Sequence, residues 1–535
     1  MKSTSHATRR WLTGLGWVAV LLALAVVAAP QLLYPLGFDQ AVYAACGDVI
    51  RRGGVPIKDC FETKQMGIML MYALAYGVAA TPIAIHALTL LWTAATAWLI
   101  ARLTGRLFGG AGAQAGAWAG ILYWLMYAGI HYWSMDQAET FTNLLLALGW
   151  LIVIEAPLDG RGRLALIGAG VAAGVAIWFK YVFALNGIAL GLVVLFRAWR
   201  AGGLRGTARA GLAFAGGTLG LCALVLAYFA LVGGLPALED QLQTLRDNFP
   251  LAAPLPLPGV LAMLARFADN GADLTARFKA TLPAREYILL GAGFPFVIGL
   301  AVFGAARHLR ARGLAVAAGL GLTVAALAVL IWQGNYIQYH YTLLLLPVAA
   351  LAGAACLPAS GRTARALSLG ARGLAVAACA LLIWRMVPVI ADAISNTVVQ
   401  GKTPHALYLE SEQAPAVSMA DQLTTITQPG DTISIIGDAP WVYTLAQREN
   451  ATRFSFVNIW LKKTGSLSHE RFVAQMRADL ERRSPALILL TRADYPWQGV
   501  DYGPDYKAAT PLYDFVESHY RYIGENGPFL LFGRK

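Results

Sequence analysis

The chain has 535 residues, of which 57% are hydrophobic and only 13% charged, with a formal net charge of +12. A soluble globular chain carries about 25% charged residues, whereas the mean hydropathy here is +0.55. These values exclude a disordered protein, an ordinary cytosolic enzyme and, with 5 Cys in the whole chain, a secreted disulfide scaffold; they leave a membrane protein with room for one soluble domain.

A bilayer-crossing helix needs about 20 mostly apolar residues. Stretches without Asp, Glu, Lys or Arg predict about eleven spans on that criterion, at roughly 11–34, 82–102, 112–131, 138–156, 164–179, 182–198, 210–232, 286–305, 313–332, 341–357 and 371–390. The first follows Arg9-Arg10 and ends near Ala28-Ala29, as a signal peptide would. Its apolar length exceeds the roughly 7–15 residues of a signal core, so it reads as a retained helix. The stretch 65–81 is short and contains Gly and Tyr. If it spanned, Arg102 and Arg106 would leave the face that holds the other basic loops. It is therefore placed as a re-entrant or juxtamembrane helix on the external face, shielded by protein or a cavity.

The basic residues sort to one side. Arg9 and Arg10, Arg102 and Arg106, Arg161 and Arg163, Arg197 to Arg209, Arg307 to Arg312 and Arg362 to Arg372 occupy short loops with few acids. The opposite loops hold Asp39, Asp48, Asp59, Glu62, Asp136, Glu139, Glu239, Asp240 and Asp247. By the positive-inside rule the first set and the N-terminus are cytoplasmic, and an odd span count puts the C-terminus outside. Topology thus explains the net positive charge without nucleic acid as a partner.

The first external loop, 36–81, opens with a short amphipathic helix that reaches Ile50 and is ended by Gly53-Gly54. A later external loop, about 233–285, carries Pro250, Pro254, Pro256 and Pro258 and then an amphipathic stretch, 259–280, laid along the membrane surface. From about 395 polar residues return. Segments 432–437 and 487–491 read as buried strands, 466–483 as a helix, and 520–533 as a hairpin turning at Glu525-Asn526-Gly527. The expected fold is a polytopic α-helical membrane protein, with a transmembrane domain over 1–392 and an external, periplasmic α/β domain over 393–535. The chain shows no Walker loop, GxGxxG, CxxC or HExxH, which argues against a nucleotide-powered pump.

Four polar groups converge on the external side: Asp39 with Glu62 and Lys64, Asp136 with Glu139, Lys180, and His340. Each has an ordinary explanation. Lys180 can snorkel, Asp136 can cap a helix, and His340 can sit in an aromatic belt with Tyr336, Tyr339 and Tyr341. Together, carboxylates and cations at one membrane face suit an anionic, membrane-borne substrate.

The order of these motifs resembles the GT-C glycosyltransferases that use polyprenyl-phosphate sugars, a superfamily with protein O-mannosyltransferases and lipid A aminoarabinose transferases. The resemblance rests on Asp39-Gln40-Ala41-Val42-Tyr43, Gly53-Gly54-Val55-Pro56, Asp59, Glu62 and Lys64, then Asp136 to Phe141, Trp178-Phe179-Lys180-Tyr181, and Gln333 to His340. It covers roughly residues 1–360. Two positions depart from it: Gln40 stands where many relatives carry Glu, and Gln65-Met66-Gly67 follows Lys64 where many carry Pro. The resemblance implies a bacterial inner-membrane transferase that moves a sugar from a polyprenyl-phosphate carrier in the bilayer to a periplasmic glycolipid, polysaccharide or protein.

Displacing a phosphate from an anomeric carbon needs a base on one side and charge neutralisation on the other. Asp39 is the expected base, with Glu139 or Asp136 assisting. Lys64 is the expected phosphate ligand, with Lys180 and His340 in support and Arg51 and Arg52 as weaker candidates. Tyr43, Glu62 and Tyr339 are placed as substrate contacts. A single displacement would invert the anomeric configuration. Cys46 and Cys60 share the first external loop, where a disulfide would tie the short helix to the Lys64 segment, or both could be small buried residues. The gathered carboxylates also leave a divalent cation, Mg²⁺ or Mn²⁺, open as a ligand, without diagnostic spacing. The rival readings are a transporter or flippase for lipid-linked sugars, which would want ionisable groups in mid-span, and a membrane-anchored assembly protein.

Overall fold

A computed structural model describes the chain except for residues 1–17, 110–111, 159, 249–293, 311, 335–336, 359, 462–463 and 493–509. The expected stretch 259–280, the prolines before it and part of the Gln333–His340 motif lie outside the described residues.

The first helix, α1 (Val18–Leu33), is followed after a 78° bend by α2 (Phe38–Arg51). Pro35 sets that bend: the preceding Tyr34 is extended, as a pre-proline residue prefers to be. Gly53, at φ +96°, closes α2, and its neighbour Gly54 donates its N–H to the Val49 carbonyl at 2.9 Å. Thus the sequence expectation of a short helix ended by Gly53-Gly54 matches the structure. The helix is amphipathic as expected, yet mostly buried. Residues 40–47 are all buried, because α2 lies between α3 (Met66–Val78) and the C-terminal region. At 13 residues, α3 is shorter than a full span.

The remaining apolar helices are α4 (Pro82–Phe108), α5 (Gly112–Ala128), α6 (Ala138–Glu155), α7 (Arg163–Ile177) and α8 (Ala184–Leu231). After the amphipathic α9 (Leu235–Asn248) come α10 (Phe294–His308), α11 (Gly313–Gln333), α12 (Thr342–Ala355) and α13 (Arg362–Ile394). α8 is two helices folded back on each other at Gly202-Gly203, where Gly203 adopts φ +57°, ψ −152°, a conformation open essentially to glycine. Among the described residues five helices are long and apolar enough to cross a membrane, six if the bent α1–α2 pair counts as one. Within the described residues each expected span falls on a helix, but α7 and α12 are short, so length and composition alone do not carry all eleven.

α12 is the centre of the bundle, buried at every residue from Leu345 to Ala355 except Val348. It packs on α4, α5, α6, α10 and α11. Small residues make those contacts close. A Cβ on Gly353 would lie 2.4 Å from the Ala115 carbonyl oxygen, and one on Gly304 would lie 2.1 Å from that of Leu351. Without a hydrophobic drive between helices in lipid, such backbone approach and interhelical hydrogen bonds supply the association energy. The Thr218 hydroxyl, for example, donates to the Gly170 carbonyl at 3.0 Å.

Beyond α13, the helices α14 (Pro404–Leu409) and α15 (Ala414–Ile426) lead into β1 (Thr432–Ile436), α16 (Trp441–Ala446), β2 (Glu449–Asn450), α17 (Asn458–Leu461), α18 (Leu467–Arg483), β3 (Leu487–Thr491), α19 (Thr510–His519), β4 (Tyr520–Asn526) and β5 (Phe529–Arg534). The sheet order is β2-β1-β3-β5-β4, parallel through β2, β1 and β3 and antiparallel thereafter. Alternate residues face opposite sides, as a period of two requires: Ile433, Ile435, Leu487 and Leu489 pack under α15, while Ile436, Ile488 and Leu490 pack under α18 and α19. This sheet region covers the first external loop. Phe61 meets Phe454 at a tilt and Phe472 edge-on, with ring centroids 5.6 and 4.8 Å apart, its N–H donates to the Arg453 carbonyl at 2.7 Å, and Phe38 meets Phe456 edge-on at 5.9 Å.

Replacing Gly170 with Val should disrupt the α7–α8 seam, since a Cβ there falls 2.0 Å from the Phe214 carbonyl oxygen. The expected loss is about 1–3 kcal/mol, read as a lower thermal midpoint in detergent. Gly168→Val, on the same helix with open space around it, should leave the midpoint nearly unchanged.

Candidate active site

Helical spacing builds the first half of the site. Asp39 lies in the first turn of α2 and Tyr43 one turn later, so both share a face. Lys64 meets that face. Its Nζ is 3.4 Å from Asp39 Oδ2 and 4.9 Å from the centroid of the Tyr43 ring. Tyr339 lies near the same Asp39 carboxyl group. Three devices hold the Lys64 segment in place. Cys46 and Cys60 are joined by a disulfide, with their Cα atoms 5.2 Å apart. Glu62 Oε1 accepts from the Thr63 N–H at 2.8 Å, the Thr63 hydroxyl at 2.9 Å and the Lys64 N–H at 3.0 Å. Gln241, from α9, donates to the carbonyls of Glu62 and Lys64 at 2.7 and 2.9 Å.

The second half comes from three other elements. Glu139, in the first turn of α6, is fully buried and accepts from Lys180 Nζ at 2.9 Å. Lys180 follows α7. It also donates to Gln333 Oε1, lies 3.2 Å from His340 Nε2, and sits 5.5 Å above the Tyr339 ring. Tyr339 therefore lies between the two halves, with Lys180 over its face and Asp39 nearby.

Burial and charge set the protonation of this cluster. Burial, then the charges of Lys180 and Lys64, hold His340 well below the ordinary histidine range. A neutral ring accepting at Nε2 carries its proton on Nδ1, an atom left without a partner among the described residues, as is Glu139 Oε2. Burial pulls Lys180 down, Glu139 opposes that, and Lys64 adds to it, for a net lowering. Lys64 is raised: burial acts against its charge, but Asp39, Glu62 and Glu139 together outweigh it. Burial raises Glu62, with Lys64 opposing.

The structure does not bring Asp136 to this cluster. It is fully buried, at φ +54°, with its Oδ2 2.7 Å from His86 Nδ1 and 3.3 Å from Gln40 Nε2. It positions the start of α2 rather than facing substrate. Arg51 and Arg52 lie at the far end of α2, roughly 18 Å along the helix from Asp39 at 1.5 Å per residue. Arg51 pairs with Asp48 at 2.7 Å, and Arg52 pairs with Asp48 at 2.6 Å and Glu449 at 3.6 Å, which separates both from the phosphate position expected for them. Sequence reasoning missed His86, Gln40 and Gln241. His86 had a signal, a titratable side chain one turn inside an apolar helix, but a search for Asp, Glu, Lys and Arg passes over it.

Among the described residues no group of three or more His, Cys, Asp or Glu is placed to hold a metal ion. Asp39 and Glu139 each already face an ammonium group. These residues fit an anion better than a divalent cation.

The fold is similar to that of ArnT from Cupriavidus metallidurans. The apo crystal structure aligns with a TM-score of 0.58 at 15% identity, covering 97% of this chain and 98% of that one. The structure of the same protein bound to undecaprenyl phosphate aligns with a TM-score of 0.53, the same identity and the same coverage. The likeness to ArnT is thus a likeness of fold along nearly the whole chain. No protein-family profile matches the chain, and no curated protein matches it in sequence.

His340 provides a pH test. Its pKa is depressed in the folded chain, so its contribution to stability is present above the unfolded value of about 6.5 and is lost as pH falls through the folded value. The thermal midpoint of the wild type should fall further between pH 7 and pH 5 than that of His340→Gln. Equal slopes would show that His340 titrates alike in both states.

Proposed function

We propose that this protein is an integral membrane glycosyltransferase that takes a sugar from a polyprenyl-phosphate carrier and passes it to a periplasmic hydroxyl acceptor. The observation that carries this reading is the Asp39–Lys64 pair, 3.4 Å apart, next to the Lys180–Glu139 pair. One carboxylate and two ammonium groups at the ends of apolar helices are what the displacement needs. Asp39 takes the acceptor proton, worth about 10²- to 10⁴-fold in rate. Lys64 and Lys180 neutralise the phosphate as its bond to the sugar breaks. The neutral His340 Nδ1–H and Glu139 Oε2, without partners among the described residues, would bind sugar hydroxyls. The acceptor oxygen attacks the anomeric carbon opposite the phosphate, and the product has the inverted configuration. Undecaprenyl phosphate bound to the similar ArnT fold supports a lipid phosphate as the donor.

A transporter is disfavoured by where the buried titratable groups lie. His86 sits in the first turns of α4, and Glu139 in the first turn of α6, at helix ends and not at mid-span. We place this face, with the C-terminal sheet, on the periplasmic side of a bacterial inner membrane and the N-terminus in the cytoplasm.

Purified protein given radiolabelled polyprenyl-phosphate sugars and an envelope extract should transfer label to a larger product. Asp39→Asn should lower the rate by about 10²- to 10⁴-fold with the donor still bound, and Lys64→Met should weaken donor binding itself. Undiminished transfer by folded Asp39→Asn would remove the base assignment. For orientation, a cysteine introduced at the exposed Gly430 should react with a membrane-impermeant thiol reagent in spheroplasts; labelling only after lysis would overturn the placement.

A further inference from the structure

A cavity of about 410 Å³ lies away from the Asp39–Lys64 cluster, between the first external loop and the C-terminal sheet. Its size is that of a small-molecule site. One wall is the C-terminal half of α2 with Lys58, Asp59 and Cys60; the other is β2, the turn after it and the end of α18. Six cationic side chains line it, Arg52, Lys58, Arg448, Arg453, Arg482 and Arg483, against four carboxylates. The two walls are bridged by one ionic network in which Glu449 receives Arg483 at 2.9 Å and Arg52 at 3.6 Å. Asn450, Thr452 and Ser455 add amide and hydroxyl groups. The Ser455 hydroxyl is buried and has no protein partner among the described residues. Among the described residues the one lining aromatic, Tyr443, is buried with its hydroxyl accepting from the Ile435 N–H, so it presents no ring for a base to stack on.

We infer that this cavity is an accessory site for an anionic glycan, holding the carboxylate- or phosphate-bearing part of the acceptor while its reacting hydroxyl lies at Asp39. The inference rests on the transferase reading above. An excess of guanidinium groups recognises carboxylate or phosphate through paired hydrogen bonds, and the hydroxyl and amide groups suit sugar hydroxyls. α2 spans the distance: Asp39 and Asp48 stand nine residues apart on it, about 14 Å at 1.5 Å per residue. The cavity also reaches the catalytic loop mechanically. Arg453 lines it and pairs with Asp240, the neighbour of the Gln241 that clamps the Lys64 segment.

The test uses the full chain in detergent, with labelled oligogalacturonate as a free carboxylated glycan, lipopolysaccharide as a lipid-borne anionic glycan, and maltohexaose and polyglutamate as controls. Arg482 and Arg483 lie at the exposed end of α18, and the double variant Arg482→Glu/Arg483→Glu spares the catalytic cluster. Wild type should bind at least one anionic glycan at least tenfold more tightly than maltohexaose. The double Glu variant should lose about tenfold in that affinity, and Arg482→Lys/Arg483→Lys should keep most of it. Lipopolysaccharide binding alone assigns the cavity to a lipid-borne glycan, and oligogalacturonate binding to a soluble chain. Polyprenyl phosphate should bind all variants equally, which separates this site from the donor site. Unchanged glycan affinity in the double Glu variant, or equal affinity for polyglutamate, would overturn the inference, while Asp39-dependent transfer would still stand.

Discussion

The contact between Asp39 and Lys64 is the constraint around which the external face is arranged. Two unit charges 3.4 Å apart attract by roughly 5 kcal/mol at an effective dielectric of about 20. Taking an ammonium group out of water costs several kcal/mol, so the pair adds little net stability. What it fixes is position. Asp39 comes from a helix and Lys64 from the loop behind it, and neither element would stay there unaided. The disulfide, the Glu62 turn and the Gln241 clamp are three separate attachments acting on the same short segment. They come from α2, from the segment itself and from α9, so the pair depends on most of the external face being folded.

Much of the cluster was legible in the sequence because its chemistry is local. A carboxylate in the first turn of a helix, a lysine just before an apolar segment and a lysine just after a span are visible as spacing. So were the strands at 432–436 and 487–491, the helix 467–483 and the hairpin, since each declares itself through apolar runs and turn residues. What remained hidden was pairing over distance. Asp136 and Glu139 are three residues apart, yet one faces His86 and the other Lys180. The two side chains part because Asp136 is in a left-handed conformation just before α6 begins. Arg51 and Arg52 looked available because Asp48 was counted as a loop acid and Glu449 lies some 400 residues away in the chain. Gln241 could not be chosen over any other glutamine without knowing where α9 packs.

The burial of α2 is hidden from the sequence for a related reason. A helix with charged ends and a small, apolar middle reads as a surface element when only its own periodicity is considered. Here a second layer closes over it: α16 packs against α2, and Phe61 plugs into the aromatic cluster of Phe454, Trp460 and Phe472. The sheet region therefore does more than hang below the bundle. It completes the burial of the helix that carries the candidate base, and an ionic seam through Arg453, Asp240 and Arg471 joins it to α9.

The glycine and alanine seams of the bundle bear on how substrates enter. At Gly105 with Gly112, Gly116 with Ala101, Gly353 with Ala115 and Gly170 with Phe214, backbone meets backbone with no side chain between to act as a bearing. Sliding one helix along another by even part of a turn would drive a side chain into a carbonyl. The bundle is thus geared to stand still as a stator. Any opening of the external face falls to the parts joined by side chains instead: the first external loop, α9 and the sheet that lies over them.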